Sequence, residues 1–256
     1  IPVHMAGVAA KMDKIMAIAE SRNIPVFEDS AQALGGTFGG RYLGTIGKAG
    51  IYSLDIGKII TTGEGGLLVT NDENIYLRAR EYSDHGHENN PNFPRGEDTR
   101  SSWGFNYKAT EFHGAVGQAQ LKKLDFILQK QKENKRKIKE QIRGLKGLEF
   151  REIPDEAGDA SDTLIFFLET KEKALDFARH LKGQGIGTKN LPDAINWHFA
   201  GTWNHIFGNA VFPQSENLLR RAVAIPVMVN MPEEQIQKIV SAIKEASEKS
   251  CLLPNV

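Results

Sequence analysis

The chain has 256 residues, with 32 Lys and Arg balancing 32 Asp and Glu, so it can bury a sizeable core and carries no net charge to draw it to nucleic acid or an anionic membrane. Its single cysteine, Cys251, excludes an intrachain disulfide and any multi-cysteine metal site, and fits a reducing cytoplasm. No apolar run reaches bilayer length and no basic-then-apolar leader opens the chain, so a soluble globular protein acting on a small molecule is expected, without export.

The opening Ile1-Pro-Val-His-Met-Ala-Gly7 reads as the end of a buried strand running into a turn. Met12, Ile15, Met16 and Ala19 recur at helical spacing and predict a helix over 10–21, followed by a strand from Pro25 to Glu28. In such an open strand-helix-strand unit, ligands gather beyond the carboxyl ends of the strands, which is the position of Asp29. Gly35-Gly36, Gly39-Gly40, Gly44 and Gly47 mark turns, and strands are predicted from Ala49 to Leu54 and from Gly66 to Thr70, with Lys58 between them. Thr62-Gly-Glu-Gly-Gly66 lacks the lysine and the following helix of a nucleotide-binding loop, and reads as a turn into the second strand.

A helix from Asn74 to Tyr82 leads into a long loop, 83–103, where Asp84-His-Gly-His-Glu-Asn-Asn-Pro91 offers polar groups to a substrate or is a solvated surface. A metal site is disfavoured there, because His85 and His87 stand two apart and the acids share no helical register with them. One long helix is predicted from Thr110 to Leu145, with Phe112, Val116, Ala119, Leu124, Ile127 and Leu128 as its apolar stripe. Its basic run, 130–139, is interrupted by Glu133 and lacks interleaved aromatics, so it reads as a solvated face. Residues 144–162 read as a joint, giving a large domain over 1–143 and a small α/β domain over 144–256. The small domain is expected to hold a strand at 163–168, a helix carrying Ala174 to Leu181, a turn at 183–187, an aromatic-rich loop at 196–207 and a last helix at 232–247.

The chemistry concentrates on Lys58, set in Tyr52-Ser-Leu-Asp-Ile-Gly-Lys58-Ile-Ile-Thr-Thr-Gly-Glu-Gly-Gly66 between an apolar run and glycines. A desolvated lysine there can form a Schiff base while the glycines admit a bulky cofactor; the competing reading is a solvated lysine beside a hairpin. Ile24-Pro-Val-Phe-Glu-Asp29-Ser-Ala-Gln32 shifts the balance, because pyridoxal phosphate needs both an amine for its aldehyde and a carboxylate that keeps its ring nitrogen protonated. Lys58 and Asp29 supply that pair.

Phe27-Glu-Asp-Ser-Ala-Gln32, Ser53 ahead of Lys58, Thr62-Gly-Glu-Gly-Gly66, Asp84-His-Gly86 and Gly104-Phe-Asn-Tyr107 together resemble the landmarks of the DegT/DnrJ/StrS family of pyridoxal-phosphate sugar aminotransferases, in the family's order and over nearly the whole chain. The resemblance implies an α/β fold of the type I aminotransferase kind, an open mixed sheet in the large domain and a smaller C-terminal lobe. It implies Lys58 as the Schiff-base lysine and proton carrier, Asp29 on the ring nitrogen, Gln32 on the phenolate oxygen and Ser53 on the phosphate. Asn106 corresponds to an asparagine that reaches the phosphate of a neighbouring subunit, which implies a homodimer. In some dehydratases of this fold a histidine replaces the lysine; Lys58 speaks for amine installation instead. The expected reactants are a keto-sugar and an amino-acid donor, with glutamate the usual one.

Set against the family, the chain is expected to be a fragment whose missing part would hold an N-terminal arm, a phosphate-binding loop and a ring that stacks on the pyridine. The alternative function is accordingly a non-catalytic remnant that keeps the fold and dimer surface. Asp84-His-Gly-His87 taken with Phe150-Arg-Glu-Ile-Pro154, Gly158-Asp159 and Asn196-Trp-His198 resembles the branch that makes 8-amino-3,8-dideoxy-octulosonate, a lipopolysaccharide sugar; a nucleotide-linked keto-sugar is the wider alternative.

Overall fold

Alternating turns and short apolar runs in the first 70 residues resolve into a three-stranded open sheet and a separate two-stranded hairpin, with a helix ahead of them. The computed structural model describes residues 1–94, 96–100, 102–160 and 162–252. The chain forms two compact units, one of Ile1–Ile127 with Ile153–Ala160 and one of Leu128–Glu152 with Ser161–Val256. Two passages between them, after Glu152 and after Ala160, fall in the stretch read as a joint; the third falls at Ile127–Leu128, inside a helix.

In the first unit α1 (Met12–Ser21) buries Met12 and Ala19, which join Ala9, Val26, Ala33, Leu43 and Ile46 in a small core. Strand β1 (Phe27–Asp29) follows. Then β2 (Thr37–Phe38) and β3 (Arg41–Tyr42) pair as a hairpin, where the sequence had suggested turns alone. β4 (Ala49–Ser53) runs parallel to β1 with Asp29 opposite Ile51, and β5 (Gly66–Thr70) runs antiparallel to β4 with Gly66 opposite Ser53. The result is a mixed sheet of order β1-β4-β5, with Val3 bridging the free side of β1 at Asp29. Gly44 and Gly50 make a close approach under this sheet: a Cβ on Gly50 would overlap the backbone of Gly44, and Gly44 itself has φ +93°. Glycine at both positions lets the 43–47 turn lie against the strand.

Helix α2 (Glu73–Ser83) starts where the Asp72 carboxylate accepts the N–H groups of Asn74 and Ile75 at 3.0 and 3.2 Å. Helix α3 (Glu111–Leu121) is capped by Thr110, whose Oγ accepts the His113 N–H while the His113 ring returns a bond to the Thr110 N–H. The predicted single helix to Leu145 is corrected here. The chain turns at Lys122–Lys123, where the Lys123 N–H donates to Gln120 three residues back, and resumes as α4 (Leu124–Ile142).

The second unit is a three-stranded antiparallel sheet, β6 (Glu149–Phe150), β7 (Thr163–Phe167) and β8 (Ala222–Pro226), with β7 in the middle. Helices α5 (Lys171–Gly183) and α9 (Glu233–Leu252) pack with it through Phe166, Phe177, Leu181, Ile225, Ile236 and Ile243. The aromatic-rich stretch holds α6 (Ile195–His198) and α7 (Asn204–Phe207). Residues 208–231, for which spacing predicts no element, hold α8 (Pro213–Arg220) and β8. Among the described residues no helix is long and apolar enough to cross a membrane.

Candidate active site

Because β1 and β4 are parallel, their last residues, Asp29 and Ser53, lie at the same carboxyl end of the two strands. Asp29 is fixed from the N-terminal segment: its N–H donates to Pro2 and its carbonyl accepts from His4, both at 2.9 Å. Its Oδ1 accepts the Ala31 N–H at 3.0 Å, and Oδ2 has no partner among the described residues. Three residues on, Gln32 Oε1 accepts the Ala6 N–H at 2.9 Å, which settles the amide's orientation and leaves its NH2 group uncommitted. Ala6 reaches Gln32 from the left-handed region, with φ +51°.

On the neighbouring strand, Ser53 Oγ accepts the Asp55 N–H at 3.3 Å, so its own hydrogen remains available. The turn Asp55-Ile-Gly-Lys58 follows, closed by the Lys58 N–H on the Asp55 carbonyl at 3.1 Å. Lys58 is half-buried, and its Nζ has no hydrogen-bond or ionic partner among the described residues. Thr62-Gly-Glu-Gly-Gly66 is a turn into β5, with Gly63 at φ +87° and the Gly65 carbonyl accepting from Leu54 at 2.9 Å. Asp29, Gln32, Ser53 and Lys58 thus follow the carboxyl ends of two adjacent parallel strands. Asn106 belongs to another ladder: it is exposed, bridges Asp84, and stands between Phe105 and Tyr107, whose rings stack at 5.6 Å.

Beneath this end of the strands lies a pair that sequence reasoning passed over. Glu28 is buried and gathers four donors: His4 Nε2 at 3.0 Å and Gly44 N–H at 2.9 Å on Oε2, Ile46 and Gly47 N–H at 2.6 Å on Oε1. Burial pushes this carboxyl up, but the His4 bond and the N–H groups of Gly47, Gly44 and Ile46 outweigh it and hold the group below its ordinary 4.5. His4 Nδ1 accepts the Ala10 N–H at 3.1 Å, so the ring is the neutral tautomer with hydrogen on Nε2. Burial, and then the Glu28 charge, push the Tyr52 phenol up, and its hydroxyl donates to Leu43 at 2.5 Å. The available signal was a histidine and a glutamate each set in an apolar run, positions where polar groups need partners.

The polar loop after α2 departs from a solvated surface. His87 is buried, its Nδ1 lies 2.7 Å from Asp98, and Asp98 also accepts the Asn89 N–H at 2.9 Å. The His87 bond, against some desolvation, lowers the Asp98 carboxyl. Asp84 is buried and paired with Lys108 and His85. The loop's groups bond one another, and among the described residues no cluster of His, Cys, Asp or Glu is placed to hold a metal ion. The Asn196-Trp-His198 stretch falls in α6; the side chains of Trp197 and His198 lie outside the described residues.

The model of the DegT/DnrJ/EryC1/StrS aminotransferase family matches residues 1–244. An uncharacterized protein of Methanocaldococcus jannaschii is 29% identical over 257 residues, covering 96% of this chain and 66% of the relative. The putative pyridoxal phosphate-dependent aminotransferase EpsN of Bacillus subtilis is 29% identical over 252 residues (95% and 62%), and GDP-perosamine synthase of Escherichia coli O157:H7 is 29% identical over 250 (95% and 64%). The chain therefore spans just under two thirds of the length of these relatives. Among solved structures, the sugar aminotransferase CalS13 from Micromonospora echinospora superposes with TM-score 0.82 at 27% identity, covering 95% of this chain and 66% of that one. PseC of Helicobacter pylori superposes with TM-score 0.84 at 21% identity, covering 96% and 66%, a likeness of fold.

Proposed function

This chain belongs to the DegT/DnrJ/EryC1/StrS aminotransferase family, and from that premise we propose that it carries the cofactor-bearing part of an enzyme that moves an amine from an amino acid to a keto-sugar. The family's cofactor, pyridoxal phosphate, supplies when bound a carbonyl that takes up the amine and a ring that withdraws electrons. The residues present fit it. Lys58 would hold the cofactor through its Nζ, and the same amine would be the group that takes up and returns a proton during amine transfer. Asp29 Oδ2 would accept from the ring nitrogen, the Gln32 NH2 would donate to the phenolate oxygen, and the Ser53 hydroxyl would donate to the phosphate.

One observation carries this reading. At each of these four positions the backbone engages one side of the residue and leaves the atom that the chemistry needs without a partner among the described residues. A solvated lysine beside a hairpin would explain Lys58 but not the matching state of Asp29 and Gln32. Borohydride reduction of the protein with pyridoxal phosphate, followed by peptide mapping, is expected to place the pyridoxyl label on Lys58. A label on Lys48 or Lys108 sinks the assignment.

The substrate is a keto-sugar. GDP-perosamine synthase among the relatives speaks for a nucleotide-linked one, and the Asp84-His-Gly-His87 motif for the octulosonate of lipopolysaccharide; amine transfer to each in turn separates the two.

The enzyme acts as a homodimer. Helix α3 buries none of its residues within the chain: Phe112 is 85% exposed, and Val116 and Leu121 are exposed with it. Covering one Phe is worth roughly 1.5–3 kcal/mol, and a twofold interface meets it twice. Phe112→Asp is therefore expected to weaken the dimer by about a hundred-fold or more without loss of protomer stability. Sedimentation showing an unchanged dimer counts against this face.

A further inference from the structure

We propose that Asp55 is a positioning residue that sets Lys58 and Ser53 in place, an inference that rests on the reading of Lys58 as the cofactor-holding lysine. Leu54 and Ile60 are buried at 7% and 3% exposure and anchor the chain on either side. Between them Ile56 is 78% exposed and Gly57 is exposed as well, so the packing of side chains does not fix the course of the turn. Hydrogen bonds do, and three of them belong to one residue, which also forms an isolated bridge. The Asp55 N–H donates to Ser53 Oγ at 3.3 Å; its Oδ1 accepts the Gly57 N–H at 3.0 Å; its carbonyl accepts the Lys58 N–H at 3.1 Å; and its backbone bridges Gly63.

The residue type follows from the geometry. Aspartate at the first position of a turn reaches the backbone two residues on, and glycine at the third position suits the bend. Glutamate is one methylene too long to close the same ring. The bond to Ser53 Oγ has a second effect: it occupies one of the hydroxyl's two lone pairs and leaves its hydrogen free to donate. Asp55 and Lys58 form no ion pair, so the carboxylate acts through the shape of the turn, and its charge is not what places the amine.

Three variants separate shape from charge. Asp55→Asn keeps the acceptor without the charge, Asp55→Glu keeps the charge without the reach, and Asp55→Ala keeps neither. Each is incubated with limiting pyridoxal phosphate and reduced with borohydride. The label on Lys58 is quantified against Lys48, with the thermal midpoint read in the absence of cofactor. Asn is expected to label like the parent, and Glu and Ala about five- to tenfold less, with thermal midpoints close to the parent's because the turn is exposed. Full labelling in the Ala variant, or rescue by Glu but not Asn, overturns the proposal. A parent protein labelled elsewhere overturns the lysine assignment itself, a result distinct from either.

Discussion

Asp29→Asn is expected to leave the fold intact and to cut amine transfer by about a hundred-fold or more. The backbone bonds of Asp29 to Pro2 and His4 do not involve the side chain, and an asparagine oxygen still accepts the Ala31 N–H that Oδ1 accepts now. What disappears is the negative charge at Oδ2. A hydrogen bond to a charged group contributes about 1.5–3 kcal/mol, which is roughly ten- to a hundred-fold in rate. An amide that cannot hold a proton on the ring nitrogen belongs at or beyond the upper end. The measurement is conversion of the cofactor to its amine form with glutamate as donor, which needs no knowledge of the sugar, alongside a melting curve. Turnover equal to the parent's refutes the role of Asp29; a lowered melting point shows that its side chain is structural.

The second large effect concerns stability. Glu28→Gln is nearly isosteric, yet whichever way the amide sits, an NH2 group replaces an oxygen that two donors now share. His4 cannot adapt by moving its hydrogen, since Nδ1 is needed by the Ala10 N–H. Two buried donors without acceptors cost about 1–3 kcal/mol each, so roughly 2–6 kcal/mol in all, a large share of a domain's stability. The sign of the pH dependence follows. The folded carboxyl is held below 4.5, so its contribution is fully present above that value and is lost as pH falls through the lowered folded value. Urea unfolding should show the parent losing stability in acid more steeply than the variant, whose deficit is greatest near neutral pH. A variant within ~0.5 kcal/mol of the parent would mean that water or a rearranged turn satisfies the donors.

The legible parts of the sequence were those where local chemistry and the three-dimensional role coincide. Glycines at 63, 65 and 66 followed by Leu-Leu-Val-Thr marked β5 to the residue, and Asp29 after an apolar strand could be assigned to a strand end. The Glu28–His4 pair was illegible because its members are 24 residues apart and no spacing rule links them. Asp55 was hidden differently: its side chain acts by accepting the Gly57 N–H within the turn, a bond no apolar spacing reports, and the exposure of Ile56 shows that packing does not compete. The break at Lys122–Lys123 contains neither Gly nor Pro, so propensity alone runs straight through it. Ala222-Val-Ala-Ile-Pro226 is too short an apolar run for periodicity to separate strand from helix.

The 43–47 turn also has a consequence in time. Its amide hydrogens at Gly44, Ile46 and Gly47 all end on the one carboxylate of Glu28, so none of the three can meet solvent while that group stays seated. Their exchange with deuterium is then governed by a single opening event, and the three form one kinetic unit within the protein. The strand that carries Asp29 also carries that event's pivot, Glu28, as the residue next to Asp29, so the clock of the turn also reports how often this end of the strand loosens.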